Sequence, residues 1–319
     1  MWPYRCATGA SASRRTAMPT LRTRRACLRP STRSTAVDPD KETLLKRAIF
    51  VMSQKGGSGK TTFSRALLDH LRFGRGMAVA AFDADGQVGQ LLQYYGARDA
   101  EGRLAAPQDP LRGVGVFDLR RREERGLVVD ALDLGAQTLL FDFPAGCLDD
   151  LTGVLGRGGI GPVLDEYDRE GYRVTVAVVV SNVQSSAGNV LAAMEVFRDR
   201  VDYVAVKNLF YGKPEDFLFF DGFTGADGLL YGGQAREALS RRGGTVLAMP
   251  ALPGREYALC DMYCLGFREA QGPPALRRSE RATIARFLED CGTAVEAAGP
   301  LLGCAEDKPT APATRWPLY

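Results

Sequence analysis

A glycine-rich segment between a predicted strand and a predicted helix constrains this chain more than any other feature. Residues 48–52 form an apolar run that predicts a buried strand, and residues 63–73 place their apolar side chains on one helical face. Between them lies the sequence KGGSGKT, at residues 55–61. Because a strand, a glycine-rich turn and a helix in this order form a phosphate-binding loop, the segment predicts a nucleotide site.

The residue types in this loop fit the chemistry of a phosphate site. Glycines let the backbone wrap around phosphate oxygens, and N–H groups at a helix start attract anions. Lys60 is expected to reach the β- and γ-phosphates, and the hydroxyl of Thr61 is expected to bind Mg²⁺. The strict pattern GxxxxGK[ST] fails only because position 54 is Gln54. The residues predicted to cradle the nucleotide are Gly56, Gly57, Ser58, Gly59, Lys60, Thr61 and Thr62.

Two later segments end predicted strands with acidic residues. Residues 77–82 predict a strand that is followed by Asp83 and Asp85, and residues 137–141 predict another that is followed by Asp142. Ligands bind outside the C-terminal ends of the strands in open parallel sheets, so these acids are expected near the phosphate loop. Taken singly, each acid could be an ordinary turn residue.

The variant loop resembles the deviant Walker A motif of the ParA/MinD superfamily of ATPases, since Lys55 adds a second lysine at its mouth. In that family this lysine reaches the nucleotide of a partner subunit, so the resemblance implies ATP as the ligand and an ATP-dependent homodimer. It also implies that Asp83 and Asp142 bind the water shell of Mg²⁺ and that Asp85 positions the attacking water. Lys55, Lys60 and Asp85 are therefore the expected catalytic residues.

The same resemblance implies a base pocket at the ends of two further predicted strands. Asn208 ends the predicted strand 202–208 and would read adenine, whereas Pro250 follows the strand 245–249 and would close the pocket. Asn208 could instead be a strand-terminating turn residue. No acid follows Asn208 where guanine recognition would require one, because the next residues are LFY.

The biological process is indicated only by short segments. Residues 82–96, 142–146 and 207–209 resemble plasmid-borne members of the superfamily, the conjugal-transfer and stability proteins called TraL or StbB. The resemblance implies a dimer switch in plasmid partition or conjugation, with a further protein partner. An ATP-dependent small-molecule ligase, of the cobyrinate amidoligase or dethiobiotin synthetase type, is the main alternative. A redox partner like the nitrogenase iron protein is a third, although only Cys147 lies near the motifs.

Strands and helices alternate along residues 46–299, which predicts an α/β P-loop NTPase with a doubly wound, mostly parallel sheet and helices on both faces. Residues 1–45 are arginine-rich and predict a disordered tail; a targeting segment, a misassigned start and a nucleic-acid arm are the alternatives. Residues 300–319 predict a flexible tail without the features of a membrane-surface helix.

Charge and cysteine content restrict the partners of the predicted domain. Residues 1–37 carry eight arginines and no acid, so the total of +3 leaves −5 for residues 38–319. The overall field therefore does not indicate nucleic-acid binding. Seven scattered cysteines indicate a reducing, cytoplasmic location, and no apolar run is long enough to cross a membrane.

Four other features have structural as well as functional interpretations. His70, the one histidine, is predicted to serve packing rather than catalysis. Residues 119–134 mix arginines with acids and predict a solvated helix face. The aromatic residues of 211–224 could pack an insertion or dock a partner. DNA could contact the arginines of the predicted helix 276–296, which are Arg277, Arg278, Arg281 and Arg286.

Overall fold

The computed structural model describes residues 46–86, 89–156, 158–272 and 276–304, so the predicted tail at 1–45 lies outside the described residues. The described strands are β1 (Lys46–Met52), β2 (Val79–Asp83), β3 (Gly115–Val116), β4 (Thr138–Asp142), β5 (Tyr172–Val180), β6 (Asp202–Asn208), β7 (Phe223–Thr224), β8 (Leu230–Tyr231) and β9 (Thr245–Met249). The described α-helices are α1 (Lys60–Leu68), α2 (Gln90–Tyr95), α3 (Leu127–Asp130), α4 (Leu148–Thr152), α5 (Gly161–Arg169), α6 (Gln184–Phe197), α7 (Leu218–Asp221), α8 (Gln234–Arg241), α9 (Gly254–Met262) and α10 (Arg278–Ala298).

Seven of these strands form one parallel sheet in the order β3-β2-β4-β1-β5-β6-β9, and β7 and β8 form a separate antiparallel hairpin. In the sheet, β2, β3 and β4 all lie on one side of β1, and the chain crosses to the other side of β1 only with β5. The strand order therefore reverses at β1, and a crevice for ligands opens at the C-terminal ends of the strands on either side of such a reversal. The phosphate loop follows β1 directly and lies at this crevice.

Helices cover both faces of the sheet, as β1 illustrates. Ala48, Phe50 and Met52 join a core that also contains α5, α6 and α8, whereas Ile49 and Val51 join a core with α1 and α10. Successive side chains of a strand point to opposite faces, so a central strand covered on both sides is apolar throughout. This explains the continuous apolar run in the sequence and confirms the predicted doubly wound α/β fold.

Arg65 anchors the loop helix α1 from inside the protein. Its guanidinium carbon lies 3.7 Å from the ring centre of Tyr94 and 3.9 Å from that of Phe267, and its Nη2 donates to the Leu265 carbonyl oxygen at 3.1 Å. One turn later Asp69 is buried, and burial raises its pKa to about 6 even though Tyr95 donates a hydrogen bond to it. These contacts tie α1 to α2, the helix that follows the Asp83–Asp85 segment.

The solvated helix predicted over residues 119–134 is wrong for residues 119–126, whereas residues 127–134 are helical. Residues 119–126 form turns, and α3 begins only at Leu127. Acidic side chains accept hydrogen bonds from backbone N–H groups in this segment. Asp118 Oδ1 accepts from Arg120 N at 3.0 Å, and Glu124 Oε2 accepts from Asp118 N at 2.7 Å. Such local bonds offer the backbone an alternative to the helix.

The aromatic cluster of residues 211–224 packs an insertion onto the body in its central part. Phe217 and Phe220 are buried, and the Lys207 ammonium group lies 5.3 and 5.6 Å from their ring centres. Lys207 also forms an ion pair with Asp221, at the end of α7. Phe219 remains 37 % exposed, and a docking role for it stays a prediction.

The packed body extends past residue 299, where the predicted domain ends. A 3₁₀ turn spans Gly299–Leu302, and the side chains of Leu302 and Cys304 are buried. The Leu301 carbonyl oxygen accepts a hydrogen bond from Thr175 Oγ1 at 2.6 Å, which attaches this segment to β5. The rest of the predicted tail, residues 305–319, lies outside the described residues. None of the described helices has the length and apolarity to cross a bilayer.

Candidate nucleotide-binding site

The loop between β1 and α1 has the backbone geometry that its glycines predict. Gly57 and Gly59 have φ angles of 75° and 96°, which L-residues with side chains rarely adopt. Gly59 caps α1, and its carbonyl oxygen accepts from Phe63 N at 3.0 Å. A Cβ atom at Gly59 would lie 2.2 Å from Asn208 Nδ2, so a glycine is required there for both reasons.

The end of β6 braces this loop. Asn208 Nδ2 donates to the Ser58 carbonyl oxygen at 2.9 Å, and its Oδ1 accepts from Phe210 N at 3.1 Å. The hydroxyl of Tyr211 donates to the Gly57 carbonyl oxygen. The sequence places Asn208 at the site but assigns Tyr211 to the aromatic cluster, because nothing in its local pattern indicates a contact 154 residues away.

A cavity of about 460 Å³ opens beside the loop. It combines loop residues that can contact phosphates with aromatic and apolar residues that can contact a base. None of the described lining residues is acidic. The lining consists of Gly57, Gly59, Lys60, Thr61, Thr62, Gln90, Asn208, Phe210, Tyr211, Met249, Pro250, Leu252, Gly254 and Tyr257.

This lining includes most of the residues predicted to cradle the nucleotide, together with Asn208 and Pro250. Of the predicted residues, Gly56 and Ser58 belong to the same loop but do not line the cavity. Gln90, Phe210 and Tyr257 were not predicted from the sequence as part of the site. These three side chains reach the cavity from α2, from the segment after β6 and from α9.

Two of the predicted metal-binding acids lie side by side beneath the loop. Asp83 and Asp142 are register partners on the adjacent strands β2 and β4, and they are only 1 % and 4 % exposed. Burial raises the pKa of both carboxyl groups above the ordinary range, and the charge of Asp83 raises the pKa of Asp142 further. Lys60 and Thr61 oppose this shift by favouring the ionised form of Asp142.

The Asp142 carboxylate has an unsatisfied oxygen. Its Oδ1 is buried and has no partner at hydrogen-bond distance among the described residues, although the hydroxyls of Thr61 and Ser64 lie close enough to favour its ionised form. Buried polar atoms of this kind indicate a group that binds there, because leaving an acceptor unpaired costs free energy. Two buried carboxylates and the Thr61 hydroxyl form an oxygen donor set of the type that Mg²⁺ prefers.

Asp85, the predicted water-positioning residue, lies at the same edge of the sheet. Its backbone N–H donates to Asp83 Oδ1 at 3.2 Å, and its side chain, 36 % exposed, forms an ion pair with Arg120. The hydrogen bond to Asp85 raises the pKa of the Arg120 guanidinium. The structure thus brings Asp83, Asp85 and Asp142 together as predicted, and adds an arginine that the sequence placed on a solvated helix.

Lys55 lies in the exposed part of the phosphate loop. Its residue is exposed, and its side chain makes no hydrogen bond or ion pair with any other residue that the structure describes. The backbone is fixed nonetheless, because Lys55 N donates to Ser53 Oγ at 3.3 Å and Asn189 Nδ2 contacts the same hydroxyl at 3.3 Å. Lys55 therefore combines a fixed backbone with a free ammonium group at the mouth of the loop.

His70 takes part in an ion-pair network away from this site. Its Nε2 lies 2.6 Å from Glu296 Oε1, and Arg75 Nη1 lies 2.8 Å from both oxygens of Glu296. The thiol of Cys304 is close enough to complete a three-ligand group for a metal ion, but burial raises its pKa to about 12. Because Arg75 already pairs with Glu296, the network connects the segment after α1 to α10. This supports a packing role for His70.

The fold and the loop define the class of this protein. A glycine-rich loop between a central parallel strand and a helix, with acids at the ends of the neighbouring strands, is the architecture of a P-loop NTPase. Residues 49–205 match the model of the CobQ/CobB/MinD/ParA nucleotide binding domain. The match supports the ParA/MinD superfamily that the loop sequence predicts for this part of the chain. No curated protein shows a significant match.

Several solved structures are similar to this chain. The MinD cell division ATPase of Pyrococcus furiosus is 17 % identical, with a TM-score of 0.44, and the match covers 76 % of this chain and 98 % of that one. A ParA family ATPase from Chlorobium tepidum is 12 % identical, with a TM-score of 0.46 and coverage of 78 % and 99 %. A nucleotide-binding protein from Archaeoglobus fulgidus in complex with ADP is 19 % identical, with a TM-score of 0.39 and coverage of 72 % and 90 %.

Proposed function

We propose that this protein binds ATP together with Mg²⁺, hydrolyses it, and switches between a monomer and an ATP-dependent homodimer. The observation that carries the proposal is the arrangement around Asp142. Its buried and unpartnered Oδ1 lies beside Asp83 and next to Lys60 and Thr61, at the phosphate loop. Mg²⁺ would be held by the two carboxylates and the Thr61 hydroxyl, and the phosphates of ATP would pair with the Lys60 ammonium group.

Each residue of the site has a role that follows from its position. Lys60 neutralises negative charge on the β- and γ-phosphates, and the backbone N–H groups of Gly57–Thr62 surround the phosphate oxygens. Thr61, Asp83 and Asp142 would hold Mg²⁺, which supplies charge that stabilises the phosphoryl oxygens. Asp85 aligns a water molecule with the γ-phosphate, and this step requires only that the carboxylate accept a hydrogen bond from that water.

The base pocket favours adenine. Asn208 keeps one amide hydrogen and one lone pair beyond its bonds to Ser58 and Phe210, so it can bind a base edge while it braces the loop. Pro250 lines the cavity at the end of β9 and offers only a backbone carbonyl. Guanine presents two adjacent donors, and the described lining contains no carboxylate to accept them.

We propose a homodimer because the ammonium group of Lys55 has no partner among the described residues of its own chain. Within one chain Lys60 already serves the phosphates, so a second lysine at the exposed mouth of the loop has a function only if it reaches another subunit. Lys55→Ala is expected to leave the affinity for magnesium-ATP within about threefold of wild type but to lower turnover about a hundredfold. The lost charge–phosphate contact would account for this, since such contacts contribute about 2–4 kcal/mol.

Sedimentation velocity with and without magnesium-ATP tests this role. The wild-type protein is expected to form a dimer only with the nucleotide, and Lys55→Ala is expected to stay monomeric at the same concentration. Lys213→Ala removes an exposed lysine outside the loop and is the matched control. A wild-type protein that binds ATP tightly and remains a monomer would contradict the dimer and leave the nucleotide site intact.

An ATP-dependent small-molecule ligase is the second candidate, because the matching family includes the CobQ and CobB types. Such an enzyme would bind an acceptor molecule and would have no use for Lys55 in a second subunit. The same sedimentation experiment separates the two, since a ligase is not expected to change its association state with ATP. The iron-protein alternative is less favoured, because Cys147 is buried and burial raises its pKa to about 12.

Plasmid partition, plasmid stability or conjugal DNA transfer is the process that we propose for the switch, with a partition or mobilisation protein as partner. The support is the resemblance of residues 82–96, 142–146 and 207–209 to plasmid-borne members of the superfamily. Genes for mobilisation or centromere-binding proteins beside this one would support the assignment. Genes for cofactor biosynthesis in that position would favour the ligase instead.

DNA is proposed to contact the arginines at the start of α10. Arg277, Arg278 and Arg286 are exposed, whereas Arg281 is partly buried. Duplex DNA is expected to bind weakly and with a strong dependence on salt, because the contacts would be made to phosphates. Fluorescence anisotropy at 50 and 200 mM salt measures this, and Arg278→Ala is expected to weaken binding about threefold or more. Equal binding by the variant would remove α10 as the DNA contact.

A further inference from the structure

Arg120 is held next to the Asp83–Asp85 segment by the backbone. Leu119 N donates to the Ala84 carbonyl oxygen at 3.1 Å, and Gly86 N donates to the Phe117 carbonyl oxygen at 3.1 Å. Asp85 and Asp118 form a β-bridge between these two bonds. The segment after β3 therefore runs alongside the segment after β2, and Arg120 has a fixed position at the nucleotide edge of the sheet.

The side chain of Arg120 is directed at Asp85 by its surroundings. A turn in which Asp118 Oδ1 accepts from Arg120 N at 3.0 Å sets the direction of the chain at this point. Two other acids nearby form ion pairs with different arginines. Arg121 lies 3.5 Å from Asp118, and Arg125 pairs with Asp150. Among the described residues, Asp85 is the ion-pair partner of Arg120.

The contact with Arg120 uses one oxygen of the Asp85 carboxylate. Arg120 Nη1 bonds to Oδ1, and no described residue bonds to Oδ2. This contact restricts the rotation of the carboxylate and leaves its second oxygen available to accept a hydrogen bond. Orientation of a reacting group contributes strongly to rate, and misplacement by about 1 Å can reduce a rate on the order of a hundredfold.

We propose that Arg120 is a positioning residue for ATP hydrolysis: it fixes the Asp85 carboxylate through Oδ1 so that Oδ2 receives the attacking water. This inference rests on the proposed function, in which Asp85 aligns that water. The ion pair does not serve folding to a comparable extent, because its side chains are 49 % and 36 % exposed and such surface pairs contribute little stability. An Arg120 variant should therefore fold and bind ATP.

Steady-state ATPase kinetics of four proteins test the inference: wild type, Arg120→Ala, Arg120→Lys and Arg121→Ala. Arg120→Ala is expected to lower kcat about tenfold and to leave KM for ATP within about twofold. Arg120→Lys restores the charge and is expected to recover part of the loss. Arg121→Ala removes the neighbouring arginine, which pairs with Asp118 and Glu124, and is expected to match the wild type.

A double variant separates a positioning role from a structural one. If Arg120 acts through Asp85, adding Arg120→Ala to Asp85→Ala should cause no further loss in a single-turnover assay with excess enzyme. A further loss of tenfold in that background, or a kcat of Arg120→Ala equal to wild type, would overturn the inference while leaving the ATPase proposal standing. A wild-type protein without ATPase activity would remove the proposed function, and the role of Arg120 with it.

Discussion

Replacing Lys60 with alanine is expected to abolish binding of magnesium-ATP. Lys60 lines the nucleotide cavity at the first turn of α1, and its charge already acts on the buried Asp142. Without Lys60, one positive charge fewer would balance the negative charges of the triphosphate and of the two buried carboxylates. Truncating one partner of a charged hydrogen bond in such a site costs about 2–5 kcal/mol, which corresponds to a Kd about thirtyfold to several thousandfold higher.

Isothermal titration calorimetry of the variant with magnesium-ATP measures this loss. Lys55→Ala is the matched control, because it removes the other lysine of the same loop and is expected to bind nearly as tightly as the wild type. The thermal unfolding midpoints of the three proteins without nucleotide should agree within a few degrees, since neither lysine belongs to the buried core. An unchanged affinity in Lys60→Ala would mean that the triphosphate does not lie on this loop.

The sequence predicted the fold because its signals were local. A central parallel strand is apolar on both faces, as Phe50 and Val51 show by packing on opposite sides of β1. The acids at the site were also predictable, since each follows such a strand and parallel strands end at one edge of the sheet. Asp83 and Asp142 are register partners for that reason, although they are 59 residues apart in the sequence.

Two residues of the site that were not predicted from the sequence, Tyr211 and Arg120, lie in loops. Tyr211 reaches Gly57 because a 3₁₀ turn follows β6, and Arg120 reaches Asp85 because a side chain of Asp118 stops a helix from forming. Neither contact has a periodic signature. In the case of Arg120, the charge pattern indicated a solvated helix, whereas hydrogen bonds between side chain and backbone determined the observed turn.

Replacing Asp85 with alanine is expected to stop turnover while ATP binding and dimer formation persist. The side chain lies beside the Mg²⁺-type donor set but is not one of the buried acids, so its loss removes neither a phosphate contact nor a core residue. Positioned carboxylates that act on a reacting water contribute about 10²–10⁴-fold in rate. Turnover should therefore fall at least about a hundredfold, at an affinity for ATP within about threefold of wild type.

Phosphate release, calorimetry and sedimentation on the same preparation distinguish this outcome from a general loss of structure. Asp149→Ala is the control, because Asp149 is an exposed acid on α4 that belongs to no part of the site. A variant trapped as an ATP-bound dimer would show that hydrolysis is what returns the protein to the monomer. Hydrolysis by Asp85→Ala at the wild-type rate would instead show that the water is aligned by another group, and the proposed role of Arg120 would then lose its basis as well.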